Sequence, residues 1–344
     1  MVTTSNQYRK VLLIGGAGYI GPVIAEELLS VGYSVRCLDL LLYNNGLSFI
    51  SLIRNQKFEF FNGDFSDKKI LDKAMEGITD VVVLGGLVGD PITKKYPNES
   101  RLINDLGITE VIESLKNKSL KKVVFISTCS NYGLIEGSAK ADENFELNPL
   151  SLYAKSKVRA EQYLMNQQSK VDYSATVLRF ATAFGIAPRM RFDLTVNEFV
   201  KELYEKGEIL VYDADTWRPY CHVNDFARLI RIVLDAPDHK IHFQVFNAGG
   251  DQNNYTKRML VDNVLKHLPA ATVTYQDHGG DPRNYKVNFD KVKHVLGFSP
   301  KYSVDFGVKE LLNALENGVF NNSDAVRNFH GNYEIQYDPP TKVN

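Results

Sequence analysis

The sequence predicts an α/β fold, a doubly wound parallel sheet joined to a smaller α+β substrate lobe. Two observations point there. Over the first half, short apolar runs alternate with amphipathic helical stretches, the pattern of a parallel sheet covered on both faces. Past about residue 180 the spacing lengthens, and loops rich in Arg, Asp, Asn and Gly separate the elements.

The elements follow in order. Val11–Ile14 is an apolar run that ends in glycines. A helix is expected from about Pro22 to Val31, because Pro22 suits a first turn and Gly32 a helix end. Strands are expected at Tyr33–Leu38 and Phe58–Phe61, then a helix over about Asp67–Glu76 that stops at Gly77. Val81–Leu84 is again wholly apolar. Leu102, Leu106, Val111 and Leu115 recur at helical spacing and predict one long helix near Glu99–Lys116. A strand at Lys122–Ser127 and a helix over Ser151–Asn166 succeed it. In the second half Val196–Lys206 reads as helix, and Ile209–Tyr212 and Phe243–Asn247 read as strands. Residues 1–180 are expected to form the first domain, with the chain returning to it around 220–247. Residues 181–330 form an interleaved lobe, and 331–344 a C-terminal tail.

Charge and cysteines exclude several classes. The 344 residues carry 40 Lys+Arg against 41 Asp+Glu, without the basic excess of a bulk nucleic-acid binder. Cys37, Cys129 and Cys221 are odd in number and far apart, which fits neither a disulfide scaffold nor a metal module and favours a reducing compartment. No stretch reaches the roughly 18 apolar residues of a membrane span, and the opening MVTTSNQYRK lacks a signal-peptide core. The expectation is a soluble, cytoplasmic protein with no metal, no nucleic acid and no membrane.

The run Gly15–Gly21 (GGAGYIG) follows the first strand and opens the first helix. Gly15, Gly18 and Gly21 allow a tight turn and close backbone approach to a diphosphate, while Tyr19 and Ile20 lead into a helix N-terminus whose N–H groups and dipole favour anions. Asp39 comes 24 residues after Gly15, at the end of the second strand, near the spacing expected of a ribose-binding acid. Its carboxylate accepts from ribose hydroxyls and repels a 2′-phosphate, which favours NAD over NADP; nearby Arg36 argues the other way. Asp64, with Phe65 beside it, has two readings: a ligand for the adenine edge or an ordinary loop cap. Together these residues predict a Rossmann-type dinucleotide site with NAD as cofactor.

Tyr153 and Lys157 stand at i and i+4, on one face of the expected helix. For a tyrosine to act as a base near neutral pH its pKa must fall by about 3 units from roughly 10, which requires about 4 kcal/mol. One ammonium roughly 4 Å away, at an effective dielectric near 20, supplies about that much. Y-x-x-x-K also occurs by chance on surface helices. Here it follows a strand ending Ser127-Thr128-Cys129, whose Thr128 hydroxyl can bind the same substrate oxygen. With the glycine loop upstream, the catalytic reading is preferred.

With these pieces in place, the chain resembles the extended short-chain dehydrogenase/reductases, in particular the nucleotide-sugar epimerase/dehydratase family. The likeness runs over about residues 8–318. It rests on GGAGYIG, Asp39, Asn62-Gly63-Asp64, Ser127-Thr128 before Tyr132-Gly133, Tyr153/Lys157, the run Arg218–Asp225 (RPYCHVND) and Asp290–Phe298 (DKVKHVLGF). The resemblance implies that Thr128 and Tyr153 are catalytic with Lys157 as partner, and that Leu84, Gly85, Gly86, Asn104 and Ser127 contribute to the cofactor site. It implies that Arg218 grips a substrate diphosphate and that Val211 and Tyr212 bracket a nucleotide base. A homodimer through the helices near Glu99–Lys116 and Ser151–Asn166 is implied as well. The departures narrow the chemistry. Cys129 and Ser130 stand where the dehydratases carry Asp-Glu, so the carboxylate pair for eliminating water is missing. Cys129 is expected to be a packed small residue. Val83 replaces a histidine often found after the fourth strand, and His278–Asp281 lacks the family's arginine, a role Arg283 can assume. Arg189 and Arg191 open the second lobe and, with Arg218 and Arg283, offer up to four guanidinium groups for a diphosphate. The segment through Asn197 is similar to bacterial members that oxidise GDP-heptoses at C4.

The expected activity is NAD-dependent oxidation at C4 of a nucleotide-diphosphate sugar, as a 4-epimerase or a 4-dehydrogenase. The same residues run in reverse make a 4-ketoreductase. A non-catalytic NAD-binding scaffold is the reading from another class, and retention of Tyr153 and Lys157 weighs against it.

Overall fold

The computed structural model describes residues 9–340 except Glu136 and the run 278–282. Its centre is a seven-stranded sheet. In spatial order the strands are Gln244–Ala248, Ser174–Phe180, Lys122–Thr128, Asp80–Val83, Lys10–Ile14, Ser34–Asp39 and Phe58–Asn62, and every neighbouring pair is parallel.

Side chains alternate between two apolar layers, as the pleat requires. Val11 and Leu13 point into one layer with Ile24, Leu28, Phe226 and Ile230 from the helices Gly21–Ser30 and Val223–Asp235. Leu12 and Ile14 point into the other, with Leu71, Val111 and Leu164 from helices Lys68–Ala74, Ile108–Ser114 and Leu152–Met165. Burial on both faces is why these strands read as unbroken apolar runs. One strand follows the rule less visibly: Ser174–Phe180 holds Thr176 and Arg179 among its apolar residues, and no run in the sequence marks it.

The long helix near Glu99–Lys116 is interrupted. It runs as Pro97–Ser100, a wider π turn over Arg101–Gly107, and then Ile108–Ser114. Its buried face is Ile103, Gly107, Val111 and Leu115, while Leu106 is 46% exposed, so the expected stripe of Leu102 and Leu106 is out of phase. A four-residue repeat drifts round an α-helix of 3.6 residues per turn, and the wider turn absorbs that drift.

The second lobe contains a three-stranded sheet in the order Asn254–Thr256, Trp217–His222, Thr182–Phe184, and the parallel pair Glu208–Tyr212 with Thr272–Gln276. Helices Thr195–Lys206, Lys257–Leu265 and Val304–Glu316 accompany them. The first strand has the second on one side and the fourth on the other. Chain order therefore reverses at its carboxyl end, where open α/β sheets hold ligands. No helix among the described residues is long and apolar enough to cross a membrane.

Candidate functional site

One cavity opens at that reversal point, and most of the residues singled out from the sequence share its wall. Gly15, Gly18, Tyr19, Ile20, Gly21, Asp39, Asp64, Phe65, Leu84, Gly85 and Gly86 line one part. Ser127, Thr128, Tyr153, Lys157, Arg189, Arg191, Arg218 and Arg283 line the rest.

The glycines have separable reasons. A Cβ on Gly15 would lie 2.3 Å from Gly85 Cα, and one on Gly21 would lie 1.9 Å from the Gly16 carbonyl oxygen, so both are demanded by backbone packing. A Cβ on Gly18 meets nothing closer than 3.8 Å. Its absence leaves a cradle on the cavity wall where a diphosphate can approach the backbone. The helix that follows has Pro22 in its first turn and no side-chain cap, which leaves its N–H groups for a ligand. Asp39 accepts from the N–H groups of Ala17 at 2.9 Å and Leu41 at 2.8 Å, and burial raises its pKa. Arg36 turns away from this site. It pairs with Glu59 at 2.6 Å and donates to the carbonyls of Ala74 and Glu76. Asp64 caps its loop, its Oδ1 accepting from Ser66 N–H and hydroxyl, while Oδ2 is buried without a partner. An unpaired acceptor beside a glycine cradle and an Asp39 carboxylate fits an adenosine dinucleotide.

Thr128 ends its strand, and its hydroxyl accepts from Ser130 N–H at 3.1 Å. Ser151 caps the helix that carries Tyr153 and Lys157 by accepting from Ala154 N–H. Lys157 is buried, donates to the Ile126 carbonyl at 2.9 Å, and lies 6.0 Å from the centre of the Tyr153 ring. Burial lowers its pKa to about 8. Burial also raises the Tyr153 phenol. After burial the strongest influences on it are Asp90, which raises it further, Arg191, which lowers it, Tyr285, which raises it, and Arg283, which lowers it. The arginines read from sequence as phosphate ligands thus also act on the tyrosine.

Behind this face lies a buried polar cluster. Glu161 accepts from Ser127 at 2.9 Å and from Arg179 Nε at 3.1 Å, and Arg179 donates to Tyr132, whose hydroxyl donates to Asn247. It pins the strand end that presents Ser127 and Thr128. Cys129 is buried, donates to the Arg179 carbonyl at 3.1 Å, and has its thiol pushed up by burial, so it is packed and unreactive.

Other expected site residues take different places. Asn104 sits behind the wall, where it accepts from Leu87 N–H at 2.6 Å and donates to the Leu87 carbonyl at 2.9 Å. It shapes the loop of Leu84–Gly86 from the rear. Arg189 is held on the Asp39 side, over the Tyr43 ring at 4.4 Å, and donates to Asn332 and Gly331, which removes it from the arginine group expected around the diphosphate. Arg191 is gripped by Asp193 through contacts of 2.6 and 2.7 Å, and Arg283 pairs with Asp90 at 2.6 Å. Arg218 stacks on Tyr285 at 5.0 Å and donates to the Arg283 carbonyl. Val211 and Tyr212 line a neighbouring pocket that meets the main cavity at Thr195 and Lys257. The run 278–281 lies outside the described residues. Asp90, Asp193, Lys257, Tyr285, Asn332 and Tyr337 also reach the cavity, and none stands in a motif whose spacing announces it.

Fold and site together define an extended short-chain dehydrogenase/reductase, an enzyme built around a bound dinucleotide. The NAD dependent epimerase/dehydratase family model matches residues 11–249, and the chain belongs to that family. NAD is accordingly its cofactor. Among relatives, a UDP-glucuronate 4-epimerase of Thermodesulfobacterium geofontis is 26% identical over 88% of this chain and 94% of its own. UDP-glucuronic acid decarboxylase 1 of Arabidopsis thaliana is 24% identical over 92% of this chain and 72% of its own. Of solved structures, the UDP-glucuronic acid 4-epimerase of Bacillus cereus, in complex with UDP-glucuronic acid and NAD, superimposes with a TM-score of 0.79 at 23% identity, over 90% of this chain and 99% of that one. The dTDP-glucose 4,6-dehydratase DesIV of Streptomyces venezuelae, with NAD bound, gives 0.80 at 23% identity over 90% and 98%.

Proposed function

We propose that this enzyme oxidises C4 of a nucleotide-diphosphate sugar, through Tyr153, Lys157 and Thr128. The observation that carries the reading is that these three side chains share one cavity with the glycine cradle and Asp39. Tyr153, as phenolate, takes the proton of the C4 hydroxyl, and Thr128 holds that oxygen through its own hydroxyl. Bound NAD supplies the hydride acceptor. Arg191 and Arg283 lower the phenol while lining the cavity in which a diphosphate would sit, and Lys157, 6.0 Å from the ring centre, is assigned to the same face as its partner. Arg218 is the third candidate anchor. The pocket at Val211 and Tyr212 is assigned to the nucleotide base.

Incubation with UDP-, GDP- and dTDP-sugars, followed by absorbance at the reduced-nicotinamide band and NMR of the sugar, tests the reading. An epimer without net reduction identifies a 4-epimerase, and stoichiometric reduction identifies a 4-dehydrogenase. Inertness toward all three nucleotide classes would overturn the assignment.

We also propose that the enzyme is a homodimer. Exposed Leu106 and Leu152 project from the two helical segments that the family resemblance places at an interface. Light scattering should give twice the 38.8 kDa chain mass, and a monomeric mass would remove the dimer.

A further inference from the structure

Residues 326–340 cross the dinucleotide half of the cavity, beyond the stretch the family model covers. Several contacts hold them there. Arg189 Nη2 donates to Asn332 Oδ1 at 2.8 Å and to the carbonyl oxygens of Gly331 at 3.0 Å and Asn328 at 3.4 Å. Asn332 Nδ2 donates in turn to the Val88 carbonyl at 2.8 Å, on the loop after the fourth sheet strand. Ile335 packs on the small apolar cluster of Tyr43, Leu87 and Ile92. At the far end the Tyr337 hydroxyl lies 3.5 Å from Ser66 Oγ, which itself donates to Asp64. Asn332 and Tyr337 both reach the cavity wall.

The polar groups under this strap are unusual. Arg189 Nε, Tyr43 Oη and Asp64 Oδ2 are buried without hydrogen-bond partners, and all three residues line the same cavity as Asp39. A buried polar group left unpaired is costly, so these atoms call for a partner. Two of them can donate and one can only accept, which is the complement of a ribose phosphate and an adenine amino group. An arginine 2% exposed, resting on a tyrosine ring, has little freedom to serve another purpose.

We propose that the strap of residues 326–340, clasped by Arg189, is part of the cofactor site. It covers the adenosine half of the dinucleotide, with Tyr337 and Asp64 at the base and Arg189 and Tyr43 at the ribose and phosphate, and so retains NAD between turnovers. The inference rests on the family's use of NAD and is independent of which sugar is oxidised.

The test is the exchange rate of bound NAD against labelled NAD, measured on the whole protein with no sugar present. Three variants are compared with it: Tyr337→Phe, Asn332→Ala, and a chain ending at Ala325. Loss of the Tyr337 hydroxyl contact in one point variant and of the two Asn332 hydrogen bonds in the other should each speed NAD release by at least about three- to tenfold, and removal of the strap by more than either. Circular dichroism establishes that each variant is folded. Should the shortened chain not fold, the two point variants decide by the same rate. Exchange at the parent rate in folded variants would overturn the proposal. Because no sugar enters the measurement, strap-dependent retention in an enzyme inert to every sugar nucleotide would leave this inference standing while removing the proposed substrate.

Discussion

Tyr153→Phe is expected to lower sugar-nucleotide turnover by roughly 10²- to 10⁴-fold, the usual contribution of a positioned acid–base group. The ring that packs beside Lys157 remains, so folding and NAD content should hold. The loss should fall on kcat, because the phenol works on a proton in flight and contributes little to holding the nucleotide. The direction of tuning follows from the site. Burial and Asp90 both disfavour the phenolate, whereas Arg191 and Arg283 favour it. Oxidation should therefore quicken as pH rises toward the phenol's pKa in the loaded enzyme, and the variant should lose that limb. Undiminished turnover by the variant would remove Tyr153 from the mechanism.

Lys157→Met is expected to change how stability depends on pH. In the folded chain burial lowers the ammonium's pKa from 10.5 to about 8. Below pH 8 the lysine is charged in both folded and unfolded states, and the full burial penalty applies. Between about 8 and 10.5 the folded state gives up the proton first, so the penalty fades, and above 10.5 it is gone. A shift of that size corresponds to roughly 3 kcal/mol. The parent should gain about that much relative to the methionine variant as pH rises from 7 to 10.5, read from paired denaturant titrations. The orphaned Ile126 carbonyl lowers the variant at every pH alike and leaves the slope untouched. A difference that did not change with pH would refute the burial argument. Turnover should fall throughout, since a methionine leaves the cavity wall beside Tyr153 without its ammonium.

Much of the fold was legible because it is written in simple periods. Runs such as Val11–Ile14 and Val81–Val83 are apolar throughout only because both faces of a parallel sheet are covered. The glycine loop was legible because backbone crowding at Gly15 and Gly21 tolerates no side chain. The strand Ser174–Phe180 escaped notice because Arg179 breaks its apolar run, and that arginine is satisfied by Glu161, Tyr132 and the Glu143 carbonyl, none of them near it in sequence. The arginines were legible as a group but not in their individual places. Asp193, Asp90 and Asn332 decide where Arg191, Arg283 and Arg189 point; Asp193 lies two residues from its arginine, but Asp90 and Asn332 are linked to theirs by no local spacing. The strap was illegible because its fastenings join residues distant in sequence, 143 positions apart for Arg189 to Asn332 and 244 for Asn332 to Val88.

The wide turn at Arg101–Gly107 has a mechanical consequence. The turn that carries Asn104 inward to brace Leu87 also carries Leu106 outward to solvent. Deleting one residue there would make a regular helix, but it would rotate everything on one side by about 100° relative to the other. The rear support of the cofactor loop and the outer apolar face therefore share a single register, like two teeth on one shaft. Neither can be re-cut in evolution without turning the other.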